Sequence, residues 1–178
     1  MVRALRLTDD VVELRPPRRT DATELYFAIR ESIDSLLPWM AWAHPAYNEV
    51  DAAEWVRRAS RAFSDGQEFQ FVMREVATGA LLGSVGINGI DRLNQWANLG
   101  YWIRTSQEGH GYVTRAARLV SDFGLTELNL GRIEILAAVD NGPSQAVAER
   151  VGALREGILR RRLRVGEAVQ DAVVYSIV

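Results

Sequence analysis

Hydrophobic and polar positions divide the first part of the chain into a strand-like stretch, two helical stretches and a loop. Residues 11–15 alternate between apolar and polar side chains, which predicts a strand. Apolar side chains recur at helical spacing in residues 22–33 and again in residues 49–64, so each stretch is predicted as a helix. Prolines interrupt residues 36–45 between them, and this stretch is predicted as a loop or a short turn.

From residue 69 the apolar side chains recur at every second position, as in a strand. A turn at residues 77–79 makes this region a hairpin, and residues 97–104 add a third strand in which Gly100 indicates a bulge. The later predicted elements are a helix at 112–127, a strand at 133–139, a helix at 143–150 and two strands at 153–163 and 169–177. This order predicts a mixed α/β sandwich. The chain has no repeat and no linker, so residues 1–178 are predicted as one domain.

The composition excludes several classes of protein. The chain of 178 residues has no cysteine, which excludes disulfides, cysteine-ligated zinc and a thiol nucleophile. All 21 basic residues are arginine, so a Schiff-base or P-loop lysine is excluded. The net charge of -2 gives no basic field for nucleic acid. The sequence has no membrane-spanning run, and residues 1–10 lack a signal-peptide core, so we expect a cytoplasmic location and no membrane partner.

A glycine-containing loop stands between a predicted strand and a predicted helix, and it consists of Glu108, Gly109, His110 and Gly111. The first amides of a helix have no helical acceptor, and the helix dipole adds partial positive charge, so such a junction can bind a pyrophosphate without lysine. Glycine also lets a phosphate approach the main chain closely. The alternative interpretation is a tight turn that needs glycine only for its backbone angles.

A second stretch, residues 138–153, follows the next strand and opens the next helix. With it, the chain from about residue 11 to residue 178 resembles the GNAT acetyltransferases, and more narrowly the RimJ/RimL branch, whose known members acetylate the N-termini of ribosomal proteins. The resemblance rests on residues 100–103, the loop at 109–112, Asn141 with Ser144, residues 149–152, Glu156 with Gly157, and Tyr175 with Ser176.

The resemblance implies a GNAT fold, in which a mixed and mostly antiparallel sheet of about seven strands is splayed in the middle and flanked by about four helices. It also implies acetyl-CoA as the co-substrate and no metal. The diphosphate would lie on the amides of residues 109–114, and the pantetheine arm would lie between the Tyr101 strand and the strand at 133–139. The implied cofactor-binding residues are Tyr101, Trp102, Ile103, Gly109, His110, Gly111, Tyr112, Val113, Thr114, Asn141 and Ser144. A turn residue is the alternative role of Asn141.

The sequence departs from the family pattern at positions that affect the chemistry. Glu108 stands where the family loop has glutamine or arginine, and Arg115 or Arg118 is expected to offset its charge. Ala148 stands where many members have the tyrosine that protonates the departing CoA sulfur. Ser144 is the candidate replacement for this acid, and a helix cap is its alternative role.

The sequence does not define the general base. Leu163 stands about where some relatives have a glutamate base. Glu156 is the first candidate, and His110, His44 and Glu108 are further ones, with a structural or solvent-exposed role as the alternative for each. An α-amine has a pKa of about 7.7–8.0, against about 10.4 for a lysine amine, so an N-terminal acceptor needs only a weak base.

The loop that carries Trp39, Trp42 and His44 lies where the family forms its acceptor wall, and these side chains are expected to contact the acceptor. Core packing is the alternative for the tryptophans. The arginines at 160–162 and 164 are expected to form a solvated strand face, with recognition of an acidic acceptor as the alternative.

The leading functional prediction is direct attack of a protein N-terminal α-amine on acetyl-CoA in a ternary complex, because no residue is suited to carry the acetyl group. The alternatives are acetylation of a small-molecule amine, such as an antibiotic, a polyamine or an amino acid, and a catalytically silent acetyl-CoA-binding module. A homodimer is expected, since the branch often dimerises and the tryptophan-rich loop offers apolar surface.

Overall fold

A computed structural model describes residues 5–178, so the first four residues of the predicted domain lie outside it. The strands are β1 (Leu7–Thr8), β2 (Val12–Arg15), β3 (Phe69–Glu75), β4 (Leu81–Asp91), β5 (Trp96–Ile103), β6 (Arg132–Ala138), β7 (Leu154–Val165) and β8 (Ala168–Ile177). The α-helices are α1 (Ala22–Glu31), α2 (Ile33–Leu36), α3 (Glu49–Ser64), α4 (Tyr112–Thr126) and α5 (Gly142–Arg150). In the part described, every helix is too short or too polar to cross a membrane.

All eight strands form one sheet in the order β1-β2-β3-β4-β5-β6-β8-β7. Neighbouring strands are antiparallel except for β5 and β6, which are parallel. The predicted fold class is confirmed, with one strand more than expected. The additional strand is β1, whose two residues are too few to show a period of two.

The sheet opens between its two parallel strands. β5 and β6 pair only from Trp96 opposite Arg132 to Asn98 opposite Glu134. Beyond this point β5 continues to Ile103 along β4, while β6 continues to Ala138 along β8. The carboxyl ends of the two strands therefore diverge and leave backbone groups of β5 without a strand partner on that side.

Helices cover both faces of the sheet. Val113, Ala116 and Val120 of α4 belong to a core cluster with side chains of β3 to β6 and β8. Gly124 lets α4 approach closely, because a Cβ at this position would come within 2.8 Å of Ile133 Cδ1. On the other face, α1 and α3 form a second cluster that also includes Trp102.

The helix boundaries follow from local hydrogen bonds. The predicted start of α3 is confirmed, since Asn48 Oδ1 accepts from the Val50 amide at 2.8 Å and Asp51 Oδ2 accepts from the Asn48 amide at 2.9 Å. The predicted single helix at 22–33 is wrong at its end. There, Ser32 Oγ donates to the Ala28 carbonyl and accepts from the Thr105 amide, and the chain continues as the short helix α2.

The predicted bulge at Gly100 is also wrong. Gly100 lies directly opposite Gly86 in a regular part of the β4–β5 ladder, whose irregularity lies between Asn88 and Asp91. A bulge therefore does not explain why residue 100 is glycine.

Candidate active site

The loop between β5 and α4 presents a row of free backbone amides. Gly109 and Gly111 both have a φ of 78°, which lies in the left-handed region that favours glycine. Gly111 is the N-cap of α4, and no side chain caps this helix. Within residues 5–178, the amides of residues 109–114 have no hydrogen-bond acceptor. This concentration of free donors at the positive end of a helix suits an anionic diphosphate.

These amides line a large cleft, which we call the donor cleft. Its volume is about 890 Å³, and it is bounded by the loop at 109–114, β5, α5 and the chain after α2. All the residues predicted to hold the cofactor line it: Tyr101, Trp102, Ile103, Gly109, His110, Gly111, Tyr112, Val113, Thr114, Asn141 and Ser144. The loop at 109–114 and the diverging end of β5 therefore border the same cleft.

The charge around the donor cleft differs from the expectation. Glu108 lines the cleft as predicted, but Arg115 donates to Asp9 at 2.8 Å, and Arg118 donates to the Arg150 carbonyl at 3.0 Å. Arg150 itself lines the cleft, as Glu108 does, and supplies a cation there. Its position at the end of α5 gave no signal in the sequence, because only the packing of α5 against α4 brings it there.

Asn141 and Ser144 occupy different places at the start of α5. Asn141 Oδ1 accepts from the Ser144 amide at 3.1 Å, so Asn141 is the side-chain cap of this helix. The Ser144 hydroxyl makes no cap and instead lies 3.1 Å from the Tyr101 hydroxyl. The predicted cap role of Ser144 therefore belongs to Asn141, and Ser144 Oγ is available to the cleft.

Tyr101 bridges the gap between the diverging strands. Its hydroxyl donates to the Ser144 carbonyl at 3.0 Å, and with this proton engaged the Ser144 hydroxyl can donate to the tyrosine oxygen. Burial raises the pKa of Tyr101 to about 12. The phenol therefore stays protonated at neutral pH and holds Ser144 in place at the narrow part of the cleft.

Two smaller cavities lie on the side of the sheet away from α4. The indole pocket has a volume of about 340 Å³ and is lined by Trp42, Trp55 and Trp102 among others. The hairpin groove, of about 400 Å³, runs between Trp39 and residues of the β7–β8 hairpin. Met40 and Tyr101 line both of these cavities and the donor cleft, so all three meet at these two side chains.

The structure places the three predicted acceptor residues in different parts of the molecule. Trp39 lines the donor cleft and the hairpin groove, and Trp42 lines the indole pocket. His44 lines none of the three spaces and lies 3.5 Å from Asp51 on α3. Met40, which the sequence did not single out, lies where the three cavities meet because the loop folds back over β5.

Glu156 lies outside all three cavities. It accepts from Arg132 at 2.7 Å and from Ser176 at 2.6 Å, near the end of the sheet where β5 and β6 are still paired. These hydrogen bonds lower the pKa of Glu156 to about 2. The structure does not bring Glu156 to the donor cleft, and Leu163 lines the hairpin groove with no carboxylate beside it.

Comparisons with known proteins agree with this geometry. The family model described as the acetyltransferase (GNAT) domain matches residues 12–154 of this chain. The N-acetyltransferase YdaF of Bacillus subtilis (strain 168) is 34% identical over 88% of this chain and 85% of its own. The ribosomal-protein-serine acetyltransferase of Escherichia coli (strain K12) is 25% identical over 99% of this chain and 97% of its own.

A solved structure extends the likeness to three dimensions. The microcin C7 self-immunity acetyltransferase MccE, in complex with acetyl-CoA and AMP, is 27% identical with a TM-score of 0.88 and covers 96% of this chain and 93% of its own. RimJ and RimL structures share the fold. The chain therefore belongs to the GNAT family of acetyltransferases, in its RimJ/RimL-like branch.

Proposed function

We propose that this acetyltransferase moves the acetyl group of acetyl-CoA onto the N-terminal α-amine of a protein, by direct attack in a ternary complex. One observation carries the proposal: the donor cleft and two cavities on the opposite side of the sheet meet at Met40 and Tyr101. A thioester entering from one side and an amine entering from the other can meet there without a covalent acetyl-enzyme.

The donor would bind along features already described. The amides of residues 109–114 would hold the diphosphate, with Arg150 nearby. The pantetheine arm would enter the gap between β5 and β6, where backbone groups of β5 have no strand partner. The Asn141 side-chain nitrogen, Nδ2, has no partner among the described residues, and Asn141 lines the same cleft, so Nδ2 can donate to the arm.

The chemistry forms one C–N bond and breaks one C–S bond. The neutral amine attacks the thioester carbon, and backbone N–H groups of β5 stabilise the charge that develops on the carbonyl oxygen. As the tetrahedral intermediate collapses, the Ser144 hydroxyl turns from the Tyr101 oxygen to the departing sulfur and donates a hydrogen bond, or a proton that it regains from water, while the Tyr101 hydroxyl stays on the Ser144 carbonyl. The amine loses its proton to water. Glu156 takes no part, since Arg132 engages it away from the cavities.

Charge on the acceptor side favours a peptide over a polyamine. The charged side chains that line the indole pocket and the hairpin groove are Arg58, Glu68 and Arg162, which sum to a single positive charge. A polyamine carries several positive charges and would need more than one carboxylate. The relative from Escherichia coli is by name a ribosomal-protein-serine acetyltransferase, which supports a protein acceptor.

A thiol-release assay tests the proposal. Acetyl-CoA would be offered with a panel of short peptides that have free N-termini, the same peptides with blocked N-termini and one internal lysine, and spermidine. We expect turnover only with free α-amines. Turnover with spermidine alone would replace the protein acceptor by a small amine, and tight acetyl-CoA binding without any turnover would indicate a silent binding module.

A further inference from the structure

The floor of the indole pocket has no side chains at its centre. Gly86 of β4 and Gly100 of β5 lie directly opposite each other, and Gly100 lines the pocket between Ser84, Asn88 and Trp102. Gly100 exposes the backbone of β5 to the pocket at this ladder position, whereas the Gln70 side chain covers Gly86. The exposed position lies one residue from Tyr101, where the three cavities meet.

The fold itself does not need glycine at position 100. Its φ is outside the left-handed region, and a Cβ would lie 3.7 Å from Asn88 Nδ2 and 3.8 Å from Asn98 Nδ2, which are ordinary contacts. Gly86 differs, because a Cβ there would come within 2.3 Å of Gln70 Oε1 and 2.8 Å of the Phe69 carbonyl. Packing explains Gly86, whereas the space above Gly100 is left for a ligand.

The walls of the pocket combine aromatic surface with free amide groups. The rings of Trp42 and Trp102 meet edge to face at 6.1 Å, and Trp55 also lines the space. Among the described residues, the Gln70 side-chain amide has no hydrogen-bond partner, while Asn88 accepts from Asn98 at 3.1 Å and keeps its own nitrogen free. These groups suit a ligand with an apolar stem and a polar, hydrogen-bonding end.

The pocket has no net charge that would select a charged ligand. Arg58 and Glu68 both line it, and their formal charges cancel. A charged side chain would lose part of its hydration on entering and would meet one of these two residues as a like charge. An uncharged side chain pays no such cost and can use the free amides.

We propose that the indole pocket binds the side chain of the acceptor's first residue, and that this side chain is uncharged with a hydrogen-bonding end, as in serine, threonine, asparagine and glutamine. The reacting amine would lie at Met40 and Tyr101, and the rest of the peptide would leave through the hairpin groove. This inference rests on the proposed N-terminal acceptor and adds its specificity.

The test compares Gly100→Val with wild type on peptides that differ only in the first residue: glycine, serine, glutamine, aspartate or lysine. Wild type should have a higher kcat/KM for serine and glutamine than for aspartate and lysine. Because the valine side chain fills the floor, the kcat/KM ratio of the glutamine peptide to the glycine peptide should fall by about 10-fold or more. Calorimetry should show unchanged binding of acetyl-CoA.

Two further variants separate specificity from folding. Gly157→Ala is the matched control, since its Cβ would meet no atom within 4 Å and Gly157 lines none of the three cavities, and it should keep the wild-type ratio. Gln70→Leu keeps the size of the side chain but loses the amide, so it should reduce turnover of serine and glutamine peptides more than that of glycine.

The outcomes distinguish the two proposals. If wild type acetylates no peptide, the proposed function fails. If it acetylates peptides but Gly100→Val reduces turnover of all first residues equally, the acceptor class stands and the side-chain pocket is overturned.

Discussion

At the scale of single residues, the active site depends on a few side chains whose partners define their roles. Asn141 caps α5 and thereby frees the Ser144 hydroxyl, which Tyr101 then holds at the junction of the cavities. Glu156, by contrast, is committed to Arg132 and Ser176. The contacts of each side chain thus decide whether it is free to face the donor cleft.

The first prediction concerns the proton donor. Ser144→Ala should lower kcat with little change in the KM for acetyl-CoA, because its hydrogen bond to sulfur matters only as the C–S bond breaks. General acid catalysis contributes about 10²-fold or more, and we expect a loss near or below that, since a thiolate leaves readily. Tyr101→Phe should cause a smaller loss of kcat. Steady-state kinetics with calorimetry of CoA binding would measure both, and full kcat in Ser144→Ala would contradict the role.

The second prediction concerns Glu156. With a pKa of about 2 this carboxyl is ionised throughout the neutral range, so Glu156→Gln should leave kcat and its pH profile unchanged. Because its pKa is lowered in the folded state, its contribution to stability is present above its unfolded pKa and is lost as the pH falls toward 2. Denaturation at pH 7 and in acid would measure this contribution. A large loss of kcat in the variant, together with loss of the acidic limb of its pH–rate profile, would instead make Glu156 the base.

At the scale of elements, the site is made by the ends of strands and helices. β5 and β6 are held together over three positions and then part, and the two helices that follow them, α4 and α5, both begin at the donor cleft. The start of α4 offers amides without a capping side chain, while α5 is capped by Asn141. Anion binding is therefore expected at α4.

The third prediction tests this anion site. Gly111→Asp should largely abolish CoA binding, because it places a negative charge among the amides that would hold the diphosphate. Gly111→Asn is the matched control, since asparagine has the same size and accepts the left-handed backbone of Gly111. Calorimetry should show a much larger loss of affinity for aspartate than for asparagine. Equal affinity in the two variants would mean that the loop is only a turn and does not bind the diphosphate.

The fourth prediction concerns the start of α1. Asp21 is buried and accepts from Arg15 at 2.7 and 2.8 Å and from the Arg18 amide at 2.7 Å. Burial raises the pKa of Asp21, but these hydrogen bonds outweigh it and hold the pKa below its ordinary value. The stabilisation is therefore present above the unfolded pKa and is lost as the pH falls through the lowered one.

Removing that charge leaves buried Arg15 without its counterion, so Asp21→Asn should reduce the free energy of unfolding by about 3 kcal/mol. Glu24→Gln is the matched control, because Glu24 is exposed and its ion pair among residues 5–178 is with Arg74, and it should cost less than about 1 kcal/mol. Urea denaturation would compare them. Equal costs would mean that the buried pair stabilises no more than the exposed one.

At the scale of the whole molecule, part of the exposed apolar surface lies along the β7 edge of the sheet. Trp42 is only 37% exposed, whereas Leu154 and Ile158 of β7 are 69% and 52% exposed. β7 pairs only with β8, so its outer edge presents free backbone groups as well. A second copy of the chain is better accommodated there than on the tryptophan-rich loop.

The fifth prediction is therefore a homodimer through β7. Sedimentation at concentrations on the order of tens of micromolar should show a dimer, and Ile158→Glu should dissociate it by placing a charge in the interface. Leu93→Glu is the control, because Leu93 is 90% exposed in the turn between β4 and β5 and should not affect assembly. A wild-type monomer over this range would contradict the prediction.

The sequence by itself determined most of the elements and the loop at 109–114, although it missed β1 and the break between α1 and α2. Helix α3 has its own caps, the glycine turns locate the strands, and the amides at 109–114 are free because of where α4 begins, so each depends on neighbouring residues. Only the tertiary structure decided which side chains meet. Tyr101 reaches Ser144 from 43 positions away, Met40 lines all three cavities, and Arg132 holds Glu156 outside them. These contacts depend on how the sheet splays and how the loop after α2 folds over it, which no local pattern encodes.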